Sequence, residues 1–291
     1  MKNTEKKDED LVKIVQPLVD WYRENKRDLP WRHNPDAYRV WISEIMLQQT
    51  RVEAVKGYYD RFLKALPTVK DLAEAEEDKL LKLWEGLGYY NRVRNMQKAA
   101  QQIMVDHEGI FPDTYEEILQ LKGIGNYTAG AISAFAYGIP KPAVDGNVLR
   151  VISRITGSYE DIMKQSVRKK IENVLEQVIP PNAASDFNQG LIELGAIVCV
   201  PNGEPKCEEC PVKEYCIACK ENLTTEIPVK KKAKTRKIEE RTILIFKDGK
   251  RIAIRKRPAK GLLAGLYEFP NVEGKLSMDE VTEYSKTIGL M

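Results

Sequence analysis

Apolar residues recur with a helical period over most of this chain. Trp41, Ile45, Leu47 and Val52, then Val55, Tyr58, Tyr59, Phe62 and Leu63, follow a beat of about 3.6 residues, one face of an α-helix. Leu80, Leu81, Leu83, Trp84 and Leu87 continue it, as do Val93, Met96, Ala99, Ala100, Ile103 and Met104. Further helices are predicted over 114–121, 126–138, 146–156, 164–178 and 184–198. Breakers stand at the borders: Pro67, Gly86 with Gly88, Gly109, Pro112, Gly123 with Gly125, Pro140 with Pro142, and Pro180 with Pro181. Helix is therefore expected almost throughout residues 8–220, and no internal repeat stands out. The texture then changes. VKKKAKTRKIEER, residues 229–241, is basic and lacks apolar periodicity, as a solvated linker does, with a secondary contact to phosphate left open. Beyond it, ILIFKDGKRIAIRKR alternates around Asp248-Gly249, which predicts a β-hairpin, and LYEFP offers a third strand. A separate β-containing domain is expected from near residue 240, and it is short for an independent fold.

Composition narrows the class. The 291 residues suggest about two domains, and 43% hydrophobic with 31% charged residues exclude a disordered chain. No apolar run approaches the roughly 20 residues that a bilayer requires. The opening MKNTEKKDED lacks an apolar segment, so no secretion signal is read and a cytoplasmic location is expected, nucleoid-associated if the source is bacterial. A net charge of +3 permits a nucleic-acid partner without demanding one. Two histidines, His33 and His107, argue against His-rich metal sites and most Ser-His or Cys-His mechanisms. All 5 cysteines fall between Cys199 and Cys219, which points to metal rather than disulfides.

Three constellations carry chemistry. Cys199, Cys207, Cys210 and Cys216 are unevenly and compactly spaced, as the ligands of a cubane iron–sulfur cluster are, and Cys219 is left over. Zinc is the competing metal, since Cys207/Cys210 and Cys216/Cys219 form two close pairs, though the gap between them is short for a zinc ribbon. In LKGIGNYTAGAI, residues 121–132, Gly123 and Gly125 free the backbone between two helices. The helix opening at Asn126 aims its N–H groups outward, an anion site suited to a DNA phosphate, with Lys122 and Arg150 near in sequence. A plain helix–helix turn has the same needs. The third constellation is a pair of acids. Glu44 has Val40, Trp41, Leu47 and Gln48 as turn-neighbours, so desolvation should keep it protonated. Asp145 precedes a helix, whose N–H groups should keep it anionic. One protonated and one charged carboxyl suit cleavage of a glycosidic bond through an oxocarbenium-like state. Either acid could instead be structural, Asp145 as a helix cap and Glu44 as a buried hydrogen-bonded residue.

Taken together, SEIMLQQTRV, WEGLGYYNRVRNM, LKGIGNYTAGAI, AVDGNVLRV and the cysteine run resemble the MutY family of adenine DNA glycosylases over roughly residues 27–219, with a weaker match after 240. The resemblance implies a mainly α, two-module helix–hairpin–helix fold. A six-helix module would span 31–137 and a [4Fe–4S] cluster module 1–30 with 138–220. A linker over 221–238 would lead to a partial α+β NUDIX-like domain at 239–291. The implied substrate is adenine opposite 8-oxoguanine or guanine in double-stranded DNA, flipped into a cleft between the modules, and a monomer is expected. By resemblance, Glu44 protonates adenine N7 and later activates water, Asp145 stabilises the sugar cation, and Tyr127 and Asn147 orient them. Trp31, Arg32 and Gln189, with Glu193, would read adenine. Gln49, Thr50, Leu87 and Tyr89 would probe the opposing base and hold the opened stack, and Lys122, Gly123 and Gly125 would hold phosphate. Cys199, Cys207, Cys210 and Cys216 would hold the cluster.

Position 127 separates close relatives. In the endonuclease III branch it is a lysine that attacks the sugar, and a tyrosine cannot form that Schiff base. That branch also lacks the acid matching Glu44, so a monofunctional enzyme is expected. Two departures from the family stand out. The first cysteine gap is one residue longer, which Asn202-Gly203 can absorb in a turn, and no Phe-Ser-His loop or NUDIX box follows residue 240. The alternatives are a bifunctional pyrimidine glycosylase and a non-catalytic metal-containing DNA-binding or redox module.

Overall fold

Capping side chains and breakers set the helix ends. The computed structural model describes residues 11–231, 238–258 and 260–289, so the expectations for 1–10 and for 232–237 within the linker lie outside the described residues. The chain divides into two units between residues 231 and 232. The first contains α1 (Val15–Asn25), a 3-10 turn (Pro30–Arg32), α2 (Ala37–Leu47), α3 (Val52–Ala65), α4 (Val69–Glu74), α5 (Glu77–Leu83) and α6 (Asn91–Asp106). It continues with α7 (Tyr115–Gln120), α8 (Asn126–Tyr137), α9 (Gly146–Ile155), α10 (Gln165–Val178), α11 (Ala184–Ile197) and the short α12 (Ile217–Lys220). Asp36 caps α2 by accepting from the Arg39 N–H at 2.9 Å, and Thr68 and Asp71 form a capping box on α4. Gly138 ends α8 in the left-handed conformation, with φ of +69°.

Apolar side chains collect into two cores. One is built on Trp41, Phe62, Leu72, Trp84, Met96 and Ile132, the other on Leu18, Val148, Ile152, Phe187 and Leu191. Helices α8 and α11 pack on each other, and α11 also packs on α1 and α9. Small residues bring the backbones together. A Cβ on Gly195 of α11 would stand 2.6 Å from the Asn147 Cβ, and one on Gly130 of α8 would overlap the Pro142 carbonyl oxygen. Because that obstacle is backbone, Gly130→Ala should destabilise the chain by about 1–3 kcal/mol. Each kcal/mol is worth roughly 2–4 °C in Tm for a unit of this size. A melting curve identical to the parent's would contradict the close approach.

The chain stays attached to the first unit beyond residue 221, where the linker was expected to begin. Arg154 donates to the carbonyls of Thr224 and Ile227, both at 2.8 Å, Ile227 is buried, and the Ile162 N–H donates to the Val229 carbonyl at 3.1 Å. A segment without periodicity can still lie along a surface when its carbonyls meet a buried arginine, as those of Thr224 and Ile227 meet Arg154.

The second unit holds three antiparallel pairs: β1 (Arg241–Ile243) with β6 (Asn271–Glu273), β2 (Lys247–Asp248) with β3 (Arg251–Ile252), and β4 (Arg255–Lys256) with β5 (Tyr267–Glu268). The hairpin is present, and Asp248 pairs with Arg251, so its turn is Gly249-Lys250 rather than Asp248-Gly249. Gly249 takes the positive φ (+57°) there. LYEFP contributes β5, and α13 (Met278–Thr287) closes the unit behind a Ser277/Glu280 capping box.

Candidate active site

Helix α2 is apolar on nearly every side, and Glu44 is the acid inside it. Trp41, Ile42 and Met46 are fully buried, and Glu44 is only 6% exposed. Its Oε2 accepts a hydrogen bond from the Tyr127 hydroxyl at 2.5 Å, delivered from the first turn of α8. Burial pushes the Glu44 pKa up to about 7; the Tyr127 hydrogen bond and Arg32 hold it down, while the charge of Asp145 adds to the rise. Glu44 can therefore hold a proton near neutral pH. Tyr127 is raised well above the ordinary tyrosine value, by burial first and then by both carboxylates, so it donates rather than ionises.

Asp145 caps α9. Its Oδ1 accepts from the Asn147 and Val148 N–H groups, both at 2.8 Å, and its Oδ2 accepts from Asn147 Nδ2 at 2.7 Å. The expectation of a carboxylate held simply anionic needs correction. Burial raises its pKa above the usual aspartate value, against the three hydrogen bonds and Arg150, which lower it. Only donors meet its oxygens, which is the coordination of an anion, yet desolvation is the larger influence. The two acids differ in their partners: three N–H donors for Asp145, one hydroxyl for Glu44.

Both acids line one cavity of about 620 Å³, together with Tyr127, Asn147, Trp31, Arg32, Gln49, Thr50, Gln189 and Glu193. It draws on α2, α8, α9 and α11, so residues more than 140 apart in sequence meet around it. Trp31 sits edge-on to Tyr59, with ring centres 5.6 Å apart. Arg32 donates to Gln189 Oε1 at 3.2 Å, to Glu193 Oε2 at 2.9 Å and to the Arg27 carbonyl at 2.9 Å. Glu193 was expected to read adenine, and its surroundings give it a different task. It is fully buried, and both its oxygens already accept from Arg27 or Arg32. Burial alone would raise its pKa, but the Arg27 and Arg32 hydrogen bonds bring it down to about 2. Glu193 is thus an anchor for two arginines. Arg27 and Arg168, which also line the cavity, were not singled out in the sequence, where nothing distinguishes them from surface arginines.

Of the other expected residues, Leu87, Tyr89 and the hairpin do not line the cavity, and Gln49 does. Leu87 is buried in the first core. Tyr89 is 63% exposed, with φ of +47°. Gln49 is likewise exposed and left-handed, with φ of +60°. Such backbone costs about 1–2 kcal/mol in a residue with a side chain and is often kept at binding sites. In the hairpin, Gly123 takes φ of +80°, and a Cβ there would stand 2.7 Å from the Asn95 Cβ. Gly125 is extended (φ −112°), unlike Gly123, and leaves the α8 N-terminus without a side-chain cap. Lys122 is exposed beside it. Arg150, expected as cationic support for this hairpin, is instead buried and donates to the Cys199 and Gly195 carbonyls and to Asn147 Oδ1.

All five cysteines, with Arg154, line a second, small cavity. Arg154 Nη1 donates to Cys199 Sγ at 3.2 Å. As placed, no three metal-ligating side chains among the described residues are close enough to hold an ion. The all-thiol donor set around one hollow fits a soft, thiolate-bound centre, and it brings Cys219 to the same place as the four expected ligands.

The site predicts a pH response. Glu44 would act protonated, so activity should fall as pH rises through about 7. Tyr127→Phe removes a hydrogen bond that lowers the Glu44 pKa, so the alkaline limb should move upward. A shift of about one pH unit corresponds to a charge-assisted hydrogen bond of about 1.5 kcal/mol. A limb that stays in place or moves down in a pH–rate profile would refute the pairing.

Comparison with known proteins gives the family. A family model described as HhH-GPD superfamily base excision DNA repair protein matches residues 42–177. An adenine DNA glycosylase of Buchnera aphidicola subsp. Acyrthosiphon pisum (strain APS) is 38% identical over 261 residues, 89% of this chain and 74% of the relative. One of Arabidopsis thaliana is 39% identical over 300 residues, 89% of this chain but 47% of the relative. The structure of a thermostable thymine-DNA glycosylase superposes with a TM-score of 0.66 at 30% identity, covering 75% of this chain and 99% of that one. A match at 38% identity that covers 89% of this chain and 74% of the relative settles the family: the chain belongs to the adenine DNA glycosylases, a family of DNA N-glycosylases within the HhH-GPD superfamily of base excision DNA repair proteins.

Proposed function

We propose that this chain removes adenine mispaired with 8-oxoguanine or guanine from double-stranded DNA, and that it leaves the sugar–phosphate backbone intact. The observation that carries the proposal is Glu44, poised near pH 7 by burial, lining one cavity with Asp145. Glu44 gives its proton to adenine N7, so that the bond from C1′ to N9 breaks with its electron pair leaving on a neutral base. The Asp145 carboxylate faces the resulting sugar cation and stabilises it. Water then adds to C1′ and returns its proton to Glu44. Tyr127 and Asn147 fix the two carboxyls, and Trp31, Arg32 and Gln189 give the base an aromatic wall and a polar edge. A cavity of about 620 Å³ has room for a purine with its sugar.

No lysine lines the cavity among the described residues, which supports hydrolysis over a Schiff-base lyase reaction. The open N-terminus of α8, Gly123 and Lys122 suit a DNA phosphate. The five-cysteine hollow suits a [4Fe–4S] cluster held by Cys199, Cys207, Cys210 and Cys216, a centre that supplies structural or redox chemistry when bound. The test is single-turnover incubation with duplexes carrying adenine opposite 8-oxoguanine, guanine or thymine. Adenine release from the first two, strand nicking only after alkali, and no borohydride-trapped adduct are expected. Nicking without alkali together with trapping would favour the bifunctional alternative, and DNA binding without any base release would favour a non-catalytic module.

A further inference from the structure

Arg92, in the first turn of α6, has no carboxylate partner among the described residues and spends its guanidinium on backbone carbonyls from two separate segments. Nη1 donates to Ile45 at 2.7 Å, Met46 at 3.3 Å and Gln48 at 2.7 Å. Nη2 donates to Leu87 at 3.0 Å and Gly88 at 3.2 Å. The same group lies 5.2 Å from the Trp84 ring centre and 5.8 Å from that of Tyr89. The first segment is the C-terminal end of α2, whose last carbonyls have no partner within the helix and favour a cation. The second is the glycine-rich turn after α5. Each segment runs directly into an exposed residue with left-handed backbone: Gln49 after Gln48, Tyr89 after Gly88. A rigid planar fork can bind both segments at once, whereas an ammonium on a flexible stem cannot match that geometry.

We propose that Arg92 is a positioning residue that sets Gln49 and Tyr89 in a fixed mutual relation, so that discrimination of the base opposite adenine depends on it. This rests on the reading of Gln49 and Tyr89 as contacts to the opposing base and the opened stack. Among the described residues no hydrogen bond joins Gln49 to Tyr89; what links them is Arg92, which grips the carbonyl of the residue before each one.

The experiment measures single-turnover adenine release opposite 8-oxoguanine and opposite guanine for the full chain and for Arg92→Lys, each over a range of pH. The ratio of the two rates should fall at least about fivefold, the scale of coupling within one hydrogen-bonded network, while the alkaline limb of the pH profile stays at the parent's pH. An unchanged ratio overturns the proposal. So does a moved limb, because Arg92 would then be acting on Glu44 through the carbonyls of Ile45 and Met46. Should Arg92→Lys fail to fold, Gln49→Ala, Tyr89→Ala and their double variant give an independent reading. Their effects on the ratio should be non-additive if one side chain links them, and strict additivity overturns the link. A parent chain that releases adenine without preference refutes the reading of Gln49 and Tyr89 and this inference with it, whereas a preference that Arg92→Lys leaves intact refutes the inference alone.

Discussion

Glu44→Gln should give a protein that still binds mispaired duplex and scarcely releases the base. Glutamine fills the same space and its carbonyl can still accept from the Tyr127 hydroxyl, but it has no acidic proton to transfer. Positioned acid–base groups contribute roughly 10²–10⁴-fold to rate, so single-turnover excision at pH 7 should fall by about that much. Affinity should change little, since Glu44 is only 6% exposed and the substitution leaves the outer surface unaltered. The residual activity should also lose the alkaline limb near pH 7, because the titrating group is gone. Stability should respond in the opposite direction. The folded pKa of about 7 lies above the ordinary value of 4.5, so the contribution of protonated Glu44 is fully present below the unfolded pKa and is lost as pH rises through about 7. Above that pH the variant avoids a buried charge and should be the more stable protein, by on the order of 3 kcal/mol at most. Undiminished excision would remove Glu44 from the mechanism, and a Tm difference that does not grow between pH 6 and 8 would contradict its burial as an acid.

Asp145→Asn should cost about 10²–10³-fold, the scale of removing one electrostatic contact to a transition state. The fold should survive, since asparagine caps helices about as well as aspartate and its oxygen can keep the bonds from the Asn147 and Val148 N–H groups. The remaining amide nitrogen would then face Asn147 Nδ2, donor against donor, and Asn147 cannot simply turn because its own oxygen accepts from Arg150 at 2.9 Å. A local readjustment is therefore part of the predicted loss. Because the two acids act on one bond, Glu44→Gln with Asp145→Asn should be little worse than either alone. Effects that multiply in full would mean that the residues serve separate steps.

What could be foreseen follows the range of the forces involved. The breakers and the periodic stripes located the helices, since helix capping and amphipathicity are local. The two carboxyls were legible because each announces its surroundings within one turn: an apolar helix around Glu44, and an N-cap position for Asp145. The Arg27–Glu193 contact was not legible. It joins residues 166 apart, and an arginine in a loop after a helix has no local mark of burial. Leu87 is a case where two local readings competed and the structure shows the packing one. Its motif suggested a DNA contact, while a leucine beside Trp84 on a helical stripe had equally good reason to enter the core. Arg92 was hidden inside a quoted motif, because its partners are carbonyls, which every residue carries and no sequence pattern reveals.

Helix α9 is ten residues long, a rod of about 15 Å. Asp145 sits at one end of it, and Arg154, which grips the Cys199 sulfur, the Val200 carbonyl and the 224–227 strap, sits at the other. Midway, Arg150 braces Asn147 against the Cys199 carbonyl. The cysteine hollow and the Asp145 cap are thus tied to the two ends of a single helix. A displacement at either end of so short a rod is carried to the other, so the position of the Asp145 carboxyl depends on how the cysteine loop is held.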